Sequence, residues 1–194
     1  MNGKPGSAIT PNRLLQPTQQ SPTPEMTATL PPNSTAPAPR LQPTGWLRYL
    51  SFSVDHKVIG LQYLVCGFVF YLIGGALAGA IRTELASPVA DFMARDVYNQ
   101  VLTLHGTVMI FLWIVPVVNG AFGNYLIPFY VGARDMAFPR LNAVAFWLIP
   151  PAGLMLVASY FITGAAQSGW TAYPPLSITT PATGQIIWIV SVLL

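Results

Sequence analysis

Apolar and polar positions along this chain fall into long blocks rather than short alternations. The apolar blocks are 58–81, 98–131, 138–163 and 183–194. A helix crossing a bilayer needs about 20 apolar residues. Blocks 58–81 and 138–163 are therefore each expected to cross once, the latter with Pro150 and Pro151 inside it. Block 98–131 is over-long for one crossing and carries Pro116 and Pro128, so a kink and a protruding end are expected there. The last block, TGQIIWIVSVLL, reaches Leu194 with no polar stop and is too short to cross, so it reads as a span cut within its length. The expected class is an all-α membrane protein: a helix bundle with three full spans and an incomplete fourth.

Composition agrees with that class. The 194 residues are 53% hydrophobic and 8% charged, against about 25% charged in soluble domains, and the mean hydropathy is +0.51. Residues 1–44 are a different material. They hold ten of the 19 prolines among Ser, Thr, Gln and Ala, and such a stretch buries too little surface to offset its ordering entropy. A disordered Pro-rich tail is expected over 1–44, and the transmembrane part over 45–194. The tail has no basic start followed by an apolar run, so it does not read as a signal peptide. The net charge of +3 is small and scattered, so no nucleic-acid partner is expected. The single Cys66 can make no internal disulfide and has no metal-motif spacing; it reads as lipid- or core-facing filler.

Charge bias sets an orientation. Arg40, Arg48 and Lys57 precede the first span, and Arg134 and Arg140 lie between the second and third. The loop after the first span has Arg82 and Arg95 beside Glu84, Asp91 and Asp96, and residues 164–184 carry no charge. This bias puts the N-terminus and the 132–140 loop on the cytoplasmic side. Trp46, Tyr98, Trp170 and Tyr173 stand at span ends, as interfacial anchors do.

Few residues in the spans carry chemistry. His105 lies seven residues after Tyr98, about 10 Å into the outer half of its span. Tyr98, Leu102, His105, Met109 and Leu112 share one helical face. An intramembrane histidine serves either as an interhelical hydrogen-bonding group or as a ligand. No local cluster supplies the further ligands zinc needs, whereas a haem takes one axial histidine per helix. Arg82, at the outer end of the first span, either snorkels to the interface or donates to a cofactor substituent at the depth of His105. Gly75 and Gly79 form a small-xxx-small pair that suits helix packing or leaves room for a flat macrocycle. On the inner side stand Asn119, Asn124, Asp135 and Asn142. Asp135 and Asn142 share a face if the turn between them is helical. An acid followed by neutral amides suits a water-filled proton path. Equally, Asp135 stands three residues before Phe138, where it could cap the third span.

HGTVMIF (105–111), GAFGNYLIPFYVGARDMAFPRLN (120–142) and SGWTAYPPLS (168–177), with SFSVDHKVIGLQYL (51–64) and IRTEL (81–85), resemble subunit I of the haem–copper oxidases, of the bacterial cytochrome c oxidase type. The resemblance covers about residues 46–194 and implies the first part of a fold of about twelve transmembrane helices. It implies that His105 is an axial ligand of a low-spin haem, of a-type, with Arg82 hydrogen-bonding its periphery and Tyr98 beside it. It implies that Trp170 and Tyr173 lie near the propionates, and that Asp135 opens a proton channel lined by Asn124 and Asn142. Glu84 matches an acid of an outer cation site, and His56 a histidine near the inner surface with a structural or rim role.

The resemblance also implies a high-spin haem and a copper ion in the complete protein, partner subunits II and III, and cytochrome c as donor through subunit II. The membrane would be a bacterial inner membrane or an internal, thylakoid-type one. Quinol-oxidising relatives carry polar residues where this chain has Ile73, Leu77 and Val97, and only Gln100 of that pattern is present, which favours cytochrome c. The ligands of the oxygen site belong to later helices, so these 194 residues alone are not expected to reduce oxygen. A non-enzymatic scaffold or remnant, and a transporter with Asp135 as coupling acid, are the alternatives; both leave the long 120–142 match unexplained.

Overall fold

The computed structural model describes residues 3, 45–86, 88 and 92–194, nearly all within one compact unit, Leu41–Leu194. The Pro-rich stretch 1–44, apart from Gly3, lies outside the described residues, as does Asp91. The described residues are helical throughout, with no strand. Three helices are long and apolar enough to cross a membrane: span 1 (His56–Glu84), span 2 (Arg95–Val131) and span 3 (Pro139–Ile162). A shorter apolar helix, Ala182–Leu193, closes the chain. Two small elements escaped the hydropathy pattern, a 3-10 helix Gly45–Leu50 and a single helical turn Leu176–Thr179.

Local chemistry sets the ends. Asp55 caps span 1 by accepting from the Lys57 N–H at 2.9 Å. Span 2 ends where Gly132 turns left-handed (φ 71°), letting the Ala133 N–H reach back to the Pro128 carbonyl at 2.9 Å. The interior of span 2 is not regular. It runs as α-helix over Arg95–Thr107, as π-helix over Val108–Ile114 and Pro116–Phe122, and again as α-helix over Gly123–Val131. Pro116 has no N–H to donate and opens the second π segment. The irregularity expected at Pro116 thus takes the form of widened turns.

Span 2 is the most enclosed of the three. Phe70 of span 1 packs with Leu104, Val108 and Leu112 of span 2 and Leu156 of span 3. Nearer the His56 end, Ile59 and Tyr63 pack with Ala121, Ala143 and Phe146. Cys66 touches both clusters, which makes it core-facing. In lipid, association rests on close packing rather than on water exclusion. Glycines provide it: a Cβ at Gly120 would strike the Tyr63 ring, and one at Gly153 the Phe70 ring.

Candidate functional site

The residues singled out in the sequence gather at two places along span 2. Toward the Arg82 end, the imidazole of His105 lies 2.9 Å from the Gly74 carbonyl through Nδ1. A carbonyl only accepts, so Nδ1 carries the proton and donates. Nε2 then keeps a free lone pair and has no hydrogen-bond partner among the described residues. Gly74 permits this contact, because a Cβ there would meet the Met109 side chain at 2.6 Å. On the same helix, Cβ atoms built at Gly75 and Gly79 meet nothing within 4 Å. No described helix packs on that pair, so within this chain they leave a flat open surface.

Arg82 is exposed and lies eight residues beyond Gly74, about 12 Å along the helix. Its backbone is therefore about two turns outward of the Gly74–His105 contact. The helical face expected to join Tyr98 through Leu112 also breaks up. Leu102 is exposed and Leu112 is buried; Leu112 lies beyond Thr107, where the π turns rotate the helix out of α phase. Tyr98 is half-buried.

The loop after span 3 reaches back to span 2 at Gly106. Trp170 stands against Gly106, where a Cβ would be 2.9 Å from its Cδ1. Its ring centroid is 6.4 Å from that of Phe111. Two side chains of span 2 hold the loop: Gln100 Oε1 accepts from the Ala165 N–H at 3.0 Å, and Thr103 Oγ1 from the Gly169 N–H at 2.9 Å. One turn on, Thr107 Oγ1 accepts from Trp188 Nε1 of the closing helix at 2.8 Å, and Ser168 donates to Gln185 at 2.8 Å. Sequence reasoning missed these clamps. Their only signal was polar side chains at 100, 103 and 107, one turn apart on an otherwise apolar span. Tyr173 is largely exposed. Glu84 accepts from the Met93 N–H at 2.9 Å, tying the loop after span 1. Among the described residues no group of three or more His, Cys, Asp or Glu is placed to hold a metal ion.

The second gathering is at the His56 end. Asp135 does not cap span 3, whose first residues lack any side-chain cap. Its Oδ1 instead accepts from the Met136 N–H at 2.8 Å and from His56 Nδ1 at 3.1 Å. His56 is buried, while the Asp135 side chain is 39% exposed, so the pair has one member in the protein and one facing solvent. The segment between Gly132 and Phe138 is not helical, so Asp135 and Asn142 do not share a helical face as expected. Asn142 donates to Asn124, which is buried and donates in turn to the Gly120 carbonyl. Gly60 packs against Asn124, with a built Cβ 3.6 Å from its Cβ. His56 and Gly60 are one turn apart on span 1, so the amide pair sits about 6 Å further into the bundle than the acid. Asn119 is exposed and joins neither group.

Comparison with known proteins adds kinship to this geometry. The family described as cytochrome c and quinol oxidase polypeptide I matches residues 58–194. Cytochrome c oxidase subunit 1 of Thermostichus vulcanus is 62% identical over 149 residues, covering 77% of this chain and 27% of the relative. The subunit of the same name from Synechocystis sp. is 59% identical over 162 residues, covering 84% and 28%. That of Corynebacterium efficiens is 41% identical over 162 residues, covering 79% and 28%. The chain thus spans a little over a quarter of the length of these relatives. The family match takes in His105, Asn124, Asp135 and Asn142 and begins two residues after His56, and the chain belongs to the cytochrome c and quinol oxidase polypeptide I family.

Proposed function

We propose that this chain is part of the catalytic subunit of a proton-pumping terminal oxidase that reduces dioxygen to water with electrons from cytochrome c. The carrying observation is the His105–Gly74 contact. It fixes ring angle and tautomer together, as a second partner does for a metal-binding imidazole, and leaves Nε2 free for an axial bond to a low-spin, a-type haem. The open surface at Gly75 and Gly79 fits a flat macrocycle. Such a haem, when bound, supplies a one-electron relay. Arg82, about two turns outward, donates at the far edge of that group. Tyr98 would border it, and Trp170 and Tyr173 would lie near its outer side, with the loop that carries Trp170 held by the Gln100 and Thr103 clamps. The remaining haem and the copper ion belong to parts of the protein beyond these residues.

Asp135 takes protons from the inner aqueous phase. His56 holds its carboxylate at the mouth, and Asn124 and Asn142 order water beyond it. The N-terminus is then cytoplasmic, in an inner or internal energy-converting membrane, with subunits II and III as neighbours. Glu84 is the protein's contribution to any outer cation site. Cytochrome c is favoured over quinol as donor because Ile73, Leu77 and Val97 are apolar where the quinol pattern is polar, and only Gln100 of that pattern is present.

The test is a reduced-minus-oxidised spectrum of the assembled complex with and without His105→Leu. Loss of the low-spin band is expected; an unchanged spectrum removes the ligand assignment.

A further inference from the structure

The side of spans 1 and 2 that faces away from span 3 carries two adjoining cavities at the His56 end. The deeper one, about 610 Å³, has walls of Val58, Leu61 and Leu64 from span 1 and Phe122, Tyr125 and Leu126 from span 2. The second, about 530 Å³, continues it past Phe129 to Arg134. They share Lys57, Tyr125 and Leu126, so they form one groove. From Lys57 to Leu64 it follows span 1 for seven residues, about 10 Å. Its floor is smooth because Gly60 sits against the Ala121 carbonyl.

The groove is apolar at depth and cationic at its mouth. Arg48, Lys57 and Arg134 line it. The nearby acids are already occupied. Asp55 accepts from the Lys57 N–H and has Arg48 at 3.6 Å, and Asp135 is held by His56 and the Met136 N–H. Among the described residues neither Lys57 nor Arg134 has a carboxylate within 4 Å. The 3-10 helix beside the mouth exposes Trp46, Leu47 and Leu50, which suits the headgroup level of a bilayer.

We propose that this groove binds one anionic phospholipid, its phosphate between Lys57 and Arg134 with Arg48 flanking, and an acyl chain along Leu61 and Leu64. Charge complementarity selects the occupant. Another transmembrane helix would match the apolar walls but would leave two ammonium and guanidinium groups without counter-charge, whereas basic pockets between helices on the cytoplasmic side suit anionic headgroups. The proposal rests on membrane residence with the His56 end on the cytoplasmic side and stands apart from the redox reading, since it involves neither His105 nor any haem.

The complex carrying this chain is placed in phosphatidylcholine nanodiscs doped with phosphatidylglycerol, and lipid retained after detergent extraction is counted by native mass spectrometry. One phosphatidylglycerol per chain is expected to persist. Lys57→Gln and Arg134→Gln should each weaken retention about fivefold, and together about 30-fold, at the usual worth of a surface cation toward an anionic lipid. Arg140→Gln, whose residue lines a different cavity with Val54 and Phe138, should change nothing. Leu61→Trp fills the groove without altering charge and should expel the lipid, which reads the site even if the double variant fails to assemble. Equal retention of phosphatidylcholine, unchanged retention in Leu61→Trp, or a protein helix cross-linked to position 61 overturns the proposal.

Discussion

Replacing Gly106 with alanine puts a methyl group 2.9 Å from Trp170 Cδ1 and 3.3 Å from its Cβ and Cγ. Carbon atoms rest at about 3.5–4.0 Å, so the ring has to retreat by about half an ångström. It cannot do so by a rotamer change alone, because Cβ is itself in the way and moves only with the loop. That loop is held by the Gln100 and Thr103 bonds at 3.0 and 2.9 Å. The same retreat stretches the second to about 3.4 Å, near the limit for such a bond. Overpacking costs about 1–3 kcal/mol, and a weakened hydrogen bond adds up to about 1 kcal/mol. Gly106→Ala should therefore destabilise the assembled complex by about 1–4 kcal/mol.

A double-mutant cycle isolates the contact. In a Trp170→Ala background the Cγ and ring atoms are gone. The remaining Cβ contact at 3.3 Å is relieved by a shift of a few tenths of an ångström. The cost of Gly106→Ala should then fall below about 1 kcal/mol. SDS-driven unfolding of the solubilised complex measures all four corners. An equal cost in both backgrounds would place the collision elsewhere, and no cost in either would mean that the two clamps do not fix the loop.

At the other end of span 2, Asp135→Asn should lower turnover and proton uptake at least about tenfold, on the general scale of a positioned proton-transfer group. His56→Leu, which removes the partner but not the acid, should lower them less; reconstituted vesicles with a pH dye measure both, and full activity in Asp135→Asn would end the channel assignment. Asn142→Leu leaves the buried Asn124 Oδ1 without its donor and should cost about 1–3 kcal/mol while the haem bands stay unchanged. Gly153→Val should prevent stable assembly, read as loss of the purified complex, because Phe70 is fixed among Leu104, Val108 and Leu156; Phe70→Leu should restore part of the yield.

The spans were legible because lipid demands long apolar helices, and hydropathy placed their ends within a few residues of His56–Glu84 and Pro139–Ile162. His105 stood out because ionisable groups are rare in such segments, and Asp135 because it is an acid in the loop beside the asparagines of the inner side. Partnerships were not legible. The His56–Asp135 contact joins residues 79 apart, and nothing in the local pattern distinguishes it from helix capping. Gln100, Thr103 and Thr107 looked like ordinary polar relief in an apolar span, yet they fasten the loop and the closing helix. The stagger of Arg82 against His105 was not legible either, because antiparallel pairing fixes direction but not stagger. That stagger is set by which glycine, here Gly74, admits the imidazole.

The two π-helical stretches give span 2 an adjustable phase. An α-helix advances each residue by about 100°, so in a regular span the bearings of His105 and Asn124 would be locked together by the count of residues between them. The widened turns over Val108–Ile114 and Pro116–Phe122 break that lock. Deleting one residue there would let the coil tighten toward α geometry and absorb the change, keeping His105 on Gly74 and Asn124 near Asn142, whereas the same deletion in a regular α-helix would swing Asn124 by about 100°. The His105 and Asn124 ends of one helix can thus be tuned separately, with the π turns as the coupling that absorbs the difference.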